Sequence, residues 1–383
     1  MNTINTFKRA YLVFTFTFMI YQGFIIALLN SQGVSESKIG LILSVNMISA
    51  VLGQFLNGYL SDKFLSPRQV MLIQIFLSML GISLLFFSTS YVVFIIIAMI
   101  MGFSIQSIYS TIDSWVLFES KETHDNYASI LIFSSLGKSI STIFVGKLFE
   151  ILGYSYMPLF YVISASILLI DIYKMGNSES REDKKLDFSD LKGLLSVKFF
   201  LNILLVSFIV FGMYTVFVNS NILIQNYGGT VFHIGIFIAL AGVSEMVYYS
   251  IINKYMNKVH PYGYLLIATL LLLVDIFIIL FTNDYIYIIL SGLIYSGIFV
   301  NFLMGAKKLF VIICDENVKN LGQSISSALY FSLAAAITTS VTGILAENIG
   351  IKPMFRYVLI EVGIVLIVLF FLNKKLRLIK IKK

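Results

Sequence analysis

Charge is what this sequence has least of. Only 12% of its 383 residues are Asp, Glu, Lys or Arg, while 58% are hydrophobic and the mean hydropathy is +0.91. A soluble core of this length could not hide so much apolar side chain, so a soluble globular fold is excluded. Cysteine is almost missing: Cys314 stands alone, which excludes an intrachain disulfide and matches no metal-site spacing. The three histidines, His124, His233 and His260, fall near helix ends or in loops, again without ligand spacing, and no catalytic constellation or cofactor motif is visible. Two-residue alternation is absent from the apolar runs, which excludes barrel strands and leaves helices as the way to satisfy the backbone in lipid. Gly137-Lys138-Ser139 echoes the end of a phosphate-binding loop, but Ile132 occupies the upstream glycine position, which disfavours an ATP-driven pump. A net charge of +7 invites nucleic acid as a partner, yet the basic residues sit mostly at helix ends, where membrane orientation accounts for them.

What is present is a series of apolar runs near 20 residues long. Taken between polar breaks they predict six helices over about 10–30, 39–60, 69–88, 91–117, 127–149 and 156–173. Six more follow over about 199–224, 231–253, 262–281, 285–313, 321–346 and 352–373. The first run ends in Asn30-Ser31-Gln32 with no small-residue cleavage pattern, so it is read as a retained helix and not a signal peptide. Between the sets lies the only long polar run, Lys174 to Lys198, too charged for hydrocarbon. It divides the chain into an N-terminal six-helix unit (1–173), an aqueous linker (174–198) and a C-terminal unit with a short basic tail (199–383). With both termini in the cytoplasm, the inner segments hold 22 basic residues and the outer ones four, which favours that orientation in a plasma or inner membrane.

The halves repeat one another. Asn57-Gly58-Tyr59-Leu60-Ser61-Asp62-Lys63 recurs as Asn253-Lys254-Tyr255-Met256-Asn257-Lys258, and Leu148-Phe149-Glu150-Ile151-Leu152-Gly153 as Leu345-Ala346-Glu347-Asn348-Ile349-Gly350. The four prolines, Pro67, Pro158, Pro261 and Pro353, each fall at or just before the third helix of a set of three, where a first-turn amide has no intrahelical partner to lose. The expected fold is therefore all-α and polytopic, twelve transmembrane helices in two pseudo-symmetric six-helix bundles, which is a transporter architecture.

Gly58 to Arg68, GYLSDKFLSPR, resembles the loop between helices 2 and 3 of the major facilitator superfamily: Gly58, Asp62 and Lys63 match its pattern, Leu65 replaces a second glycine and Arg68 supplies the later charge. Ser110 to Ser120, at the end of helix 4, resembles a second patch of that superfamily ending in an acid, here Glu119. The resemblance implies that Glu119 meets the basic side of the 2–3 loop. Gly58, Asp62, Lys63, Arg68 and Glu119 are then read as a latch that forms in one conformation and breaks in the other; the alternative is a solvated, positive-inside turn. Helix 4 lacks the Arg-x-x-Gln-Gly pattern of many proton-coupled members and helix 5 lacks the Gly-Pro element of drug antiporters. Gly242-Val243-Ser244-Glu245 is distantly similar to a carboxylate setting in the oligosaccharide and nucleoside proton symporters, while Tyr295 to Ile298 lacks the lactose symporter's proton-site residues.

Charge inside a helix is costly, about 2.5 to 3.5 kcal/mol per residue on insertion scales. Lys138, mid-helix 5, and Glu245, deep in helix 8, are read as a coupling pair, with Asp275 and Glu361 as further proton-site candidates; the alternative for each is static structural pairing. Asp113, about four residues from the inner end of helix 4, is read as interfacial or as part of the loop network. By the resemblance, helices 1, 4, 7 and 10 line a central cavity, which makes Tyr21, Gln22, Gln106, Asn219, Asn221 and Asn301 candidates to meet a polar solute. The expected function is a secondary active transporter of a small polar solute, with protons as the driving ion, acting as a monomer with lipid as its surroundings and no cofactor or metal. Efflux of a drug or metabolite by proton antiport is the alternative, and a membrane-embedded receptor or enzyme without flux is the alternative of another class.

Overall fold

The computed structural model describes residues 3–120, 122–123, 127–176, 196–255, 259–314 and 325–381; for residues 62, 63, 117, 118, 128, 253–255 and 373–381 within them it describes the backbone alone. Among the described residues there is no strand. Twelve helical spans are long and apolar enough to cross a membrane: α1 (Thr3–Ser31), α2 (Glu36–Ser61), α3 (Pro67–Phe86), α4 (Tyr91–Val116), α5 (Ser129–Leu152), α6 (Tyr154–Lys174), α7 (Val197–Asn226), α8 (Val231–Ile252), α9 (Pro261–Phe281), α10 (Tyr285–Ile313), α11 (Ile325–Ile349) and α12 (Ile351–Leu372). The all-helical, twelve-span, multi-pass reading of the sequence holds. Six spans precede residues 177–195 and six follow, so both chain ends lie on one face, called here the terminal face. Large apolar side chains such as Phe76, Phe144, Phe208 and Ile360 are exposed on the outside of the helices, where hydrocarbon is their solvent.

Local chemistry sets the helix ends. Ser66 accepts from the Gln69 amide while the Gln69 side chain accepts from Ser66, a capping box directly before Pro67. Pro158 and Pro261 also open their helices. Among the described residues four glycines have positive φ and form two repeat-related pairs: Gly33 (φ 70°) and Gly228 (φ 87°) follow α1 and α7, offset by 195 residues, and Gly153 (φ 83°) and Gly350 (φ 86°) follow α5 and α11, offset by 197. Residues with a Cβ avoid this region, so the duplication is written in the backbone as well as in the motifs.

The helices differ from their expected bounds in instructive ways. α1 begins seven residues earlier than predicted, because Phe7 and Ala10 are buried against the bundle, and it is interrupted after Gln22. α4, predicted as one continuous helix, breaks at Ser104 (φ −95°, ψ −84°) into a short 3₁₀ turn, Ile105–Ser107. Ser104 and Ser107 donate back to the carbonyls of Ile100 and Phe103, and Asn57 and Gln74 donate to the Ser107 hydroxyl, so side chains from α2 and α3 hold the break. α11 opens with a π-helical stretch, Ala328–Leu333, that no hydrophobic pattern announces.

The two sets of helices meet tightly on the face opposite the termini. There Asn30 of α1 donates to Gln225 of α7 at 2.6 Å, the Ser37 amide of α2 donates to Glu347 of α11 at 3.1 Å, and Ser44 donates to the Ala336 carbonyl. At Gly40 a Cβ would stand 2.1 Å from the Thr339 carbonyl oxygen, and at Gly235 of α8 it would stand 2.2 Å from that of Thr142 in α5. On the terminal face α2 and α4 are parted from α10 and α11 by a cavity. The structure is thus closed on one face and open toward the other.

Candidate functional site

Lys138 of α5 and Glu245 of α8 form an ion pair in the middle of the bundle. Their helices come close because the seam is lined by small residues: Gly146 approaches Gly235, and Ser139 donates to the Ala239 carbonyl at 3.2 Å. Gly242 lies one turn before Glu245, and a Cβ there would meet the Ser139 hydroxyl at 2.2 Å and the Lys138 Cε at 3.2 Å. The missing side chain is therefore the space through which the lysine reaches its partner. Glu245 is 8% exposed and also accepts from the Tyr249 hydroxyl. Each charge alone would be expensive at this depth; paired, and with a phenol on the carboxylate, the cost is offset.

A second carboxylate belongs to the same interior. Asp113 of α4 accepts from the hydroxyls of Tyr11 in α1 and Tyr127, two residues before α5, and so lies in the interior, where the sequence suggests an interfacial or loop-network place. Two tyrosines from other segments, Tyr11 buried and Tyr127 half-buried, draw it inward, a signal that spacing within one helix could not carry. Tyr109, one turn earlier on α4, is hydrogen-bonded with Ser134 of α5 and packs edge-on against Phe14 at 4.6 Å and Phe18 at 5.3 Å. Helices α1, α4, α5 and α8 thus share a continuous band of phenols, two carboxylates and one ammonium.

Of the other candidates, Asp275 of α9 is fully buried and faces Ser291 of α10, yet neither carboxylate oxygen accepts a hydrogen bond of normal geometry among the described residues. Glu361 of α12 has both oxygens buried with no partner among those residues. The structure does not bring either to the Lys138–Glu245 pair by a hydrogen bond. Asn219 and Asn221 of α7 and Asn301 of α10 are buried and donate to the carbonyls four residues earlier, Thr215, Phe217 and Gly297. Gln106 sits on the broken turn of α4 with a buried, unpartnered carbonyl oxygen, Tyr21 is buried near Tyr161 of α6, and Gln22 is half-buried at the end of the first α1 segment.

In the proposed latch, the side chains of Asp62 and Lys63 lie outside the described residues. Arg68 covers the Tyr173 ring at 5.0 Å, and Glu119 accepts from the Trp115 indole of its own helix at 2.9 Å. Gly58, expected to let helices approach, borders the cavity instead: a Cβ there would meet nothing within 4 Å.

That cavity has a volume of about 410 Å³. Its walls include Gln54 of α2, Ser110 and Ser114 of α4, Lys307 of α10 and Ser327 of α11. None of the six solute-contact candidates named from the sequence lines it. What could have pointed to it is the small, hydroxylated run Ser110-Thr111-Ile112-Asp113-Ser114 and the two lysines interrupting an apolar helix. Among the described residues there is no cluster of His, Cys, Asp and Glu able to hold a metal.

Comparison with known proteins agrees with this architecture. Residues 10–311 match the family model of the Major Facilitator Superfamily. A maltose permease of Geobacillus stearothermophilus is 26% identical over 247 residues, 62% of this chain and 60% of the permease. Among solved structures, the nucleoside transporter NupG superposes with a TM-score of 0.80 at 14% identity, covering 97% of this chain and 98% of that one. A POT family transporter in complex with 5-aminolevulinic acid gives 0.76 at 12% identity, covering 97% and 96%. At these identities the superpositions speak for the fold alone.

Proposed function

The chain belongs to the major facilitator superfamily and is a membrane transporter, and we propose that it moves a small polar solute by alternating access, driven by protons, with residues 1–173 and 199–383 rocking against each other about a cytoplasmic 174–198 linker. The observation that carries the coupling is the Lys138–Glu245 pair, which joins α5 of one half to α8 of the other at the seam between them. Rocking that separates the outer ends of these helices changes the distance and the water around the pair. The contacts of Glu245 would then differ between the two conformations, which links proton binding to conformation. Tyr249 and the Tyr109–Ser134 contact offer hydrogen-bond steps near the carboxylate. The excess of basic residues on the terminal face supports placing both termini in the cytoplasm, so that the conformation described above is open inward.

The test is flux in proteoliposomes against a panel of sugars, nucleosides and small amide-bearing solutes, with and without an imposed proton gradient. Glu245→Gln should lose gradient-driven accumulation while keeping solute exchange. Normal accumulation by Glu245→Gln makes the pair structural and moves the proton site to Asp275 or Glu361; no gradient dependence in the native protein rejects proton coupling.

A further inference from the structure

The cavity on the terminal face carries a chemical preference. Its hydroxyl-bearing walls do not settle it, since hydroxyls serve any polar molecule; its charge does. Among the described residues Lys307 is the one charged residue on its walls, and none of them that line it is a carboxylate. The neighbouring lysine behaves differently: Lys308 turns to the Tyr264 ring, 5.3 Å from its centroid, while Lys307 is exposed toward the cavity. Asp113 lies within electrostatic reach of Lys307, but its carboxylate already accepts from Tyr11 and Tyr127 and makes no ion pair with the lysine. The ammonium therefore faces a confined polar space of about 410 Å³, within the range of small-molecule sites.

The surrounding groups extend the reading. Ser110 donates to the Ser107 carbonyl, so toward the cavity its oxygen offers lone pairs and accepts. Gln54 has both a donor and an acceptor, and Ser114 and Ser327 have hydroxyls that can do either. We propose that this cavity binds a hydroxylated organic anion, with Lys307 holding the anionic group and Gln54, Ser110, Ser114 and Ser327 hydrogen-bonding its hydroxyls. The proposal deepens the transporter reading, on which it rests, by naming an anionic solute class. Lys307 acts as the specificity-determining residue: it touches the solute and distinguishes it from the neutral analogue, because a site that holds a charge on an ammonium gains little from the uncharged compound.

Matched pairs test this. The purified full-length transporter in detergent is titrated calorimetrically at fixed ionic strength with gluconate against glucitol, and with galactose 6-phosphate against galactose; the pair that responds tells a carboxylate from a phosphate. The expected result is at least a tenfold tighter binding of the anion in one pair, loss of that preference in Lys307→Gln and its retention in Lys307→Arg, with monodispersity and thermal unfolding confirming that both variants are folded. Should Lys307→Gln not fold, Ser114→Ala is expected to weaken the anion and its neutral mate alike, leaving the preference intact. Equal binding within both pairs, no binding of any of the four, or a preference that survives Lys307→Gln overturns the proposal. Because binding is read without a gradient, failure of proton coupling would appear separately, as normal accumulation by Glu245→Gln with the anion preference unchanged.

Discussion

Replacing Gly40 by alanine should open the closed face. Gly40 lies near the start of α2, and the added Cβ would stand 2.1 Å from the Thr339 carbonyl oxygen of α11, well inside the 3.4 Å at which ordinary contact begins. The obstacle is backbone, so no rotamer change relieves it; α2 and α11 must part by about 1 Å, stretching the bonds from Ser44 to Ala336 and from the Ser37 amide to Glu347. Overpacking of this kind costs about 1 to 3 kcal/mol, and because a conformation with this face open does not pay it, the ratio of closed to open forms should fall by roughly 5- to 150-fold. Nitroxides at Phe87 and Phe281, 84% and 82% exposed on the two halves of that face, would report the change as a new longer component in their distance distribution. Gly363→Ala in α12 is the control, since its Cβ meets nothing within 4 Å. Identical distributions for native protein and Gly40→Ala, with unchanged thermal unfolding, would refute the argument that this seam sets the conformation.

Lys138→Met should destabilise the detergent-solubilised protein by about 3 to 5 kcal/mol, because it strands a buried Glu245, and adding Glu245→Leu should recover most of that loss without restoring accumulation; thermal unfolding and flux measured side by side check both halves. In a background where Cys314 is serine, cysteines at Ser178 and Thr282 should label from opposite sides of the membrane, position 282 from outside intact cells, and labelling of 178 from outside would invert the topology. Asp62→Asn should lower transport several-fold while membrane insertion is unchanged; unaltered transport together with unaltered accessibility of the terminal-face cavity would count against a latch. Gly350→Ala should cost about 1 to 2 kcal/mol because its φ of 86° lies in the left-handed region, and an unchanged unfolding temperature would contradict that reading.

Spans and repeats were legible because each depends on short stretches of chain. An apolar run of the right length predicts a crossing wherever it occurs, and Gly153 and Gly350 end α5 and α11 through local backbone needs. Lys138 and Glu245 could be singled out for the same reason, since a charge deep in an apolar helix needs a partner and the sequence holds few. What depends on rotation about a helix axis was not legible. Asn219, Asn221 and Asn301 are polar residues on the right helices, yet each donates to its own backbone one turn back, an outcome available to any amide in lipid. Asp113 was placed by its distance from a helix end, whereas Tyr11 and Tyr127, contributed by other segments, decide where it points. The break at Ser104 likewise depends on Asn57 and Gln74 reaching Ser107 from two other helices.

The repeat also separates what the fold requires from what it merely carries. Positions related by the duplication lie 195 to 197 residues apart, as the two glycine pairs establish. At those distances Lys138 corresponds to Leu333, Ala334 or Ala335, and Glu245 to Ile48, Ser49 or Ala50. Asp275 corresponds to Ser78, Met79 or Leu80, and Glu361 to Ser164, Ala165 or Ser166. None of the twelve is charged. The same helical positions are therefore filled in the other half by small or apolar side chains that pack without any ion: Ser164 bonds Thr17 at 2.7 Å and Ser78 donates to the Ile75 carbonyl. A six-helix unit of this kind folds without charge at these sites, so these four charges are additions, each costing about 2.5 to 3.5 kcal/mol to insert. Asp275 and Glu361 remain within the second half, where their loss would be felt as a change in one bundle's packing. Lys138 and Glu245 are the two that meet from opposite halves, and an added pair at a seam between halves proposed to rock is placed to respond to that motion.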